Sequence, residues 1–382
     1  MPAQAAPVSS SPQSVELHAH LFMKEGMGWG FTGDFFGELR ATDWSNKLSS
    51  MANPDTLERS GIGIVVAALY AHPVFTLSLR ASIRKQIEQA RKFVTEHPGW
   101  VIARSSVEAR AALESGKRVM VLALEGASGI IESEEDLVEF VDRGGIRIVN
   151  LLHLTDDEYG GVAFLPGVKA LTNPWTWLKG LFSPARDESG VRVNPDGLTD
   201  RGRKAALAFL ERGVWLDLAH ASDASYAELV PLLRSRGQPH LYTHAPLRKY
   251  MKAERGVSEA QLKAVKLTGG IVGVMPADTM LEGTPPAAPP PCDGAFGKLK
   301  LQYTEAAAIV GAESVMMGSD WNGGVKHLQP TCKTGTSLDR EGLWNIGQQS
   351  QLWKALEVSG APVPKPLGRT IERFLDAWAK VR

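Results

Sequence analysis

Cysteine is nearly missing from this chain: among 382 residues only Cys292 and Cys332 occur, both in loop-like sequence rich in Gly, Pro and Thr. Two thiols make neither a disulfide framework nor a cysteine-built zinc site. Two reduced loop thiols are the expectation, with a single bond between those loops as the alternative. Long hydrophobic runs are lacking as well. The longest, such as Val65–Leu69, have the length of a barrel strand and fall far short of the ~20 apolar residues of a spanning helix. No membrane span is expected. An excess of either charge is also absent, since Lys+Arg and Asp+Glu both number 42. No segment carries the basic stripe that binding a phosphate backbone requires, which argues against nucleic acid as a partner. The opening MPAQAAPVSSSPQS has neither the charged start nor the apolar stretch of a signal peptide. It reads as a loose N-terminal arm over residues 1–14, and a cytoplasmic location is expected.

What the chain does contain is ample core, with 43% hydrophobic and 22% charged residues. Short β-branched or apolar runs alternate with amphipathic stretches, the pattern of repeated βα units around a parallel sheet. Eight strand candidates can be counted: Val15–His20, Gly63–Tyr70, Arg118–Glu125, Ile146–His153, Val214–His220, His240–His244, Gly270–Pro276 and Ser314–Asp320. Helical spacing of apolar residues marks Leu79–Glu96, Glu134–Asp142, Asp200–Arg212, Ala224–Arg236, Ser258–Leu267 and Leu299–Val310. Good caps open several of them, for example Thr199 with Asp200 and Ser258 with Glu259. The expected fold is therefore α/β, a (β/α)8 TIM-type barrel forming one domain over residues 15–382 and ending in a C-terminal helical segment. Three segments exceed a bare barrel: Lys24–Ser60, Thr155–Leu198 and Asp278–Lys298. Each follows a strand end, so each is expected on the catalytic face as a long loop insertion.

The residues that close the apolar runs carry the chemistry. A parallel barrel gathers the C-terminal ends of all its strands at one mouth, so polar groups far apart in sequence can meet there. His18 and His20 stand at i and i+2 in the first strand and project from one face. Alone they could be ordinary core or surface histidines, or half of a metal site. Glu125 closes VMVLALEG, where a buried anion needs a compensating charge or metal; a salt-bridged or capping acid is the plain alternative. His220 ends VWLDLAH and His244 ends HLYTH on successive strands, offering imidazole nitrogens to a second cation. A lone histidine at a strand end is more often structural, but two of them beside HxH and a glutamate fit a shared metal centre better. Asp320 in VMMGSDWNGG ends the last strand, with Gly323 and Gly324 letting the loop turn sharply. His153, closing IVNLLHL, is placed to polarise a carbonyl or steady an oxyanion.

In order, strand context and approximate spacing, VLALEGASGI, LLHLTDDEYGG, WLDLAHASD, YTHAPLR and GSDWNGG resemble the renal or membrane dipeptidase family, peptidase family M19 of the metal-dependent amidohydrolase superfamily. The resemblance runs from about His18 to Asp320. It implies a binuclear zinc hydrolase cleaving dipeptides or similar small carboxylate-bearing amides, with other divalent metals possible. Glu125 would bridge two Zn2+, His18 and His20 would complete one, and His220 and His244 the other. Asp320 would take the proton of the attacking water, and His153 would stabilise the tetrahedral oxyanion. The family also holds the substrate carboxylate with an arginine downstream of the last histidine. That role falls to Arg255, with Arg248 as a nearer second candidate; a solvated loop cation is the bland reading of either. A homodimer is implied too. One position departs from the family pattern: its first strand normally ends in His-x-Asp, where this chain has His18-Ala19-His20. The long segments after strands four and seven lack an obvious family template. The same scaffold could instead act on another small amide, an N-acyl amino acid or a lactone, or serve as a metal-binding pseudoenzyme or interaction module.

Overall fold

The computed structural model describes residues 13–26, 35–36, 50–73, 76–165, 174–286 and 294–382. Nine strands appear in it: β1 Ser14–Ala19, β2 Ile62–Leu69, β3 Trp100–Ile102, β4 Arg118–Glu125, β5 Ile146–Asn150, β6 Trp215–Asp217, β7 Leu241–Tyr242, β8 Ile271–Val274 and β9 Val315–Met317. All named strand pairings are parallel. The order β2-β1-β9-β8-β7-β6-β5-β4 closes through β2–β4, where Ile64 to Leu69 pair with Val119 to Leu124. The result is an eight-stranded parallel barrel with helices between its strands. Each of the eight expected strands is present. Most stop short of their expected ends, because the polar residues that close the apolar runs sit just past the last ladder bonds.

β3 was not anticipated. It pairs with β4 over Arg118–Met120, below the stretch Leu122–Glu125 that pairs with β5. β4 therefore shares one edge between two neighbours. All six expected helices form, five of them regular: Leu79–Glu96, Asp200–Glu211, Asp223–Ser235, Glu259–Thr268 and Ala295–Val310. The sixth begins as one α turn at Glu134–Asp136 and continues as a π-helix over Leu137–Arg143. Side-chain caps at Ser78, Thr199 and Ser258 satisfy the open first-turn amides.

The C-terminal helical segment is Gln349–Val358 followed by Arg369–Trp378. The last helix closes the floor of the barrel: Phe374, Leu375 and Trp378 share a buried cluster with Val15, Leu17, Ile64, Val119 and Trp215. Arg373 donates to Ser314 Oγ and Gly270 O, at the starts of β9 and β8. Opposite this floor lies the mouth, where two of the three long segments contribute helices Pro174–Phe182 and Asp278–Leu281.

Cys332 is disulfide-bonded, which corrects the expectation of two reduced thiols. Cys292 and most of the N-terminal arm lie outside the described residues. No described helix is long and apolar enough to cross a membrane.

Candidate active site

Every strand-end residue singled out in the sequence reaches one point at the mouth. The carboxylate of Glu125 is its centre. His18, His220 and His244 bring Nε2 to 3.4, 3.3 and 3.3 Å from its Oε1, and His20 and His153 bring Nε2 to 3.1 and 3.3 Å from its Oε2. Asp320 Oδ1 stands 3.2 Å from His20 Nε2. Ring nitrogens face one another as well, 3.2 Å apart between His18 and His20 and 2.9 Å between His220 and His244. Two sets of donor atoms thus share Glu125: His18 and His20 on one side, His220 and His244 on the other. Such paired imidazoles around one buried carboxylate could hold metal ions.

Two of these residues reach the mouth through unusual backbone. His220 and Asp320 have φ of 70° and 57°, the left-handed region that non-glycine residues seldom occupy. The turn swings each side chain inward immediately after its strand, and such strain is typical of functional positions. Gly323 serves Asp320 directly, for a Cβ there would lie 1.8 Å from Asp320 Oδ1 and 2.8 Å from His20 Cδ2.

A second layer that sequence reasoning missed sets the imidazoles. The Thr243 hydroxyl donates to Asp217 Oδ2 and lies 3.0 Å from His18 Nδ1 and 2.9 Å from His244 Nδ1. Its one proton goes to Asp217, so its lone pairs accept from both histidines. That assigns the Nδ1–H tautomer to His18 and His244 and leaves the lone pair of each Nε2 aimed at the cluster, the form a metal requires. Asp217 is itself fixed by the backbone N–H groups of Ala219 and Thr243, both at 3.0 Å. Its place behind the histidines, with the hydroxyl between, makes it an orienting group. The only sequence signal for this pair was polarity inside apolar runs. Tyr70 was missed too; its ring lies 4.6 Å from that of His153 and 6.1 Å from that of His20.

The electrostatics fit cations. Burial opposes ionisation of Glu125, yet His153 and His18 beside it hold its carboxyl well below the usual range. Burial also works against protonation of His20, but hydrogen bonds to Asp320 and Glu125 outweigh it and raise its pKa to about 10. The space between those carboxylates therefore demands positive charge, which a metal ion supplies as well as a proton. Burial, with Arg255 nearby, drives His220 and His244 well below the ordinary imidazole value, so both stay neutral.

The two arginine candidates separate clearly. Arg255 Nη2 donates to His244 O at 2.8 Å and lies 3.2 Å from His220 Nε2, while its buried Nη1 has no hydrogen-bond partner among the described residues. Arg248, the second candidate, stays outside the cluster. It forks onto Asp223 at 2.6 and 2.7 Å and also donates to Gly256 O and Glu254 O, so its donors brace loops. Beside Arg255, His153 and His220 opens a cavity of about 530 Å3, walled by the segment after β5.

Solved structures share this architecture. A metallopeptidase from Rhodobacter sphaeroides, liganded with a phosphinate mimic of the dipeptide L-Ala-D-Ala, superposes with a TM-score of 0.69 at 15% identity, covering 97% of this chain and 100% of that one. The dipeptidase AC, a metallopeptidase of family M19, gives 0.69 at 16% identity over 98% and 99%. A probable dipeptidase from Pseudomonas aeruginosa gives 0.67 at 15% over 97% and 95%. At such identities these likenesses speak for the fold. The sequence model of the membrane dipeptidase family, peptidase family M19, matches residues 164–331. That span holds His220, His244, Arg255 and Asp320, whereas His18, His20, Glu125 and His153 precede it. With that match, the order of the motifs and the barrel that assembles them, the chain resembles the membrane dipeptidase family over residues 164–331.

Proposed function

We propose that this protein is a binuclear zinc-dependent hydrolase of dipeptides or similar small carboxylate-bearing amides. The observation that carries the reading is the convergence of four histidine Nε2 atoms on the two oxygens of Glu125. His18, His20 and Glu125 would hold one cation, and Glu125, His220 and His244 the other. Zinc suits imidazole and carboxylate donors and, when bound, supplies Lewis acidity toward both the scissile carbonyl and water.

The chain's own groups perform the rest. Asp320, whose carboxyl lies below its ordinary range because His20 beside it outweighs the opposing effect of burial, takes the proton of the attacking water and returns it to the leaving amine. His153, at the edge of the cluster, steadies the oxyanion that forms on the carbonyl. Arg255 offers its unpartnered Nη1 to the substrate carboxylate. His20 departs from the Asp typical of the family, but its Nε2 lies among the same oxygens, and we read it as a neutral ligand in that place.

The deciding experiment measures metal content and dipeptide hydrolysis together. Zinc-loaded protein is expected to hold two ions per chain and to cleave dipeptides. Removing the metal with a chelator should abolish turnover, and returning zinc should restore it. Asp320→Asn should keep its metal and lose turnover by about a hundredfold or more. Unchanged kcat in that variant would remove Asp320 from the proton transfer, and a metal-free cluster under zinc-replete conditions would end the proposal.

A further inference from the structure

We infer that the group carried on the Arg255 side of the scissile amide is large and apolar, so that the substrate is a carboxylate-bearing amide with an aromatic or long aliphatic side chain. This rests on the reading of Arg255 as the carboxylate anchor.

The cavity beside Arg255, His153 and His220 measures about 530 Å3, and Phe164, Leu165, Trp177, Leu181 and Val191 give it an apolar wall. Pockets of about 300–1,000 Å3 accommodate ligands well beyond two small residues. The wall is built in advance. Glu254 Oε2 accepts from the backbone N–H groups of Phe164 and Asn194 at 2.8 and 2.9 Å, and Asp187 Oδ1 accepts from that of Val191 at 2.9 Å. Helix Pro174–Phe182 presses close enough on the ring of Phe164 that a Cβ at Gly180 would lie 3.2 Å from it. Trp177 and Leu181, from that same helix, remain 39% and 42% exposed, so an apolar group entering the cavity gains by covering them.

Charge adds a separate constraint. Glu254, the one carboxylate among the described residues of the lining, turns both oxygens to backbone N–H groups: Oε1 to Asp223 and Oε2 to the pair above. Arg186 and Arg192 add positive charge to the wall, which favours a substrate of net negative charge over one presenting an amine there.

The test compares zinc-loaded protein on Ala-Gly, Ala-Leu, Ala-Phe and Ala-Trp. The inference expects kcat/KM roughly tenfold or more higher for the large side chains, with Trp177→Ala cutting that preference several-fold. Equal rates, or a preference for Ala-Gly, would overturn it while leaving the hydrolase reading intact. If no dipeptide is cleaved, the dipeptidase reading falls, and calorimetry with 3-phenylpropanoate and propanoate still decides this point. Tighter binding of the phenyl compound, lost in Trp177→Ala, supports the pocket assignment; equal binding refutes it.

Discussion

At the scale of single residues, the candidate site side chains were legible because each breaks an apolar run, where a polar group needs a reason. Glu125, His220, His244 and Asp320 all stand out this way. Thr243 and Asp217 did not, since a threonine or aspartate in a strand signals nothing until its partners are known. Their network makes a clear prediction. Thr243→Val removes the acceptor that fixes His18 and His244, and should weaken zinc affinity by about 10- to 100-fold with little change in the melting curve of the metal-free protein. Competition against a chromophoric chelator reads this out. Gly323→Ala should displace Asp320, because a methyl group there occupies the place of its Oδ1. The expected result is a folded, metal-loaded protein with kcat reduced by an order of magnitude or more. The choice between Arg248 and Arg255 lay beyond sequence: both follow His244 closely, and only the salt bridge to Asp223 shows which one is already engaged.

At the scale of elements, the alternation of apolar runs and amphipathic stretches was enough to place eight strands and six helices. Among the elements missed are β3, with only three residues and no periodicity to reveal it, and the helix Ser106–Glu114 that follows it. The π-helical stretch was equally hidden, since its apolar spacing is close to that of an α-helix. Between helices Asp223–Ser235 and Glu259–Thr268 lies a buried histidine with a measurable consequence. Burial lowers the pKa of His240 to about 4 from an ordinary 6.5, and its Nδ1 has no hydrogen-bond partner among the described residues. The unfolded chain takes up a proton near pH 6.5 that the folded one refuses until about 4. The stability from keeping His240 neutral is therefore complete above pH 6.5 and disappears as pH falls through that window, by up to about 3 kcal/mol. Denaturant melts between pH 7 and 4 should show this loss, with a shallower slope in His240→Gln.

At the scale of the molecule, floor and mouth divide the work. The helix Arg369–Trp378 seals the barrel end farthest from the site, so its loss should act on stability alone. Phe374→Ala, which empties a fully buried ring position, is expected to cost about 3–5 kcal/mol. A lower Tm with unchanged zinc content per folded molecule would bear this out. Sequence indicated the C-terminal helical segment but not its position, because nothing in an amphipathic stretch says which surface will cover it.

The single hydroxyl of Thr243 has one more implication. His18 belongs to one donor set and His244 to the other, yet both ring orientations hang on the same oxygen. An ion bound beside His18 would hold that imidazole against Thr243 and, through the shared oxygen, would help keep His244 aligned for the next. Titration with zinc should consequently fill the pair together, and a population of half-loaded chains should be scarce at every ratio of metal to protein.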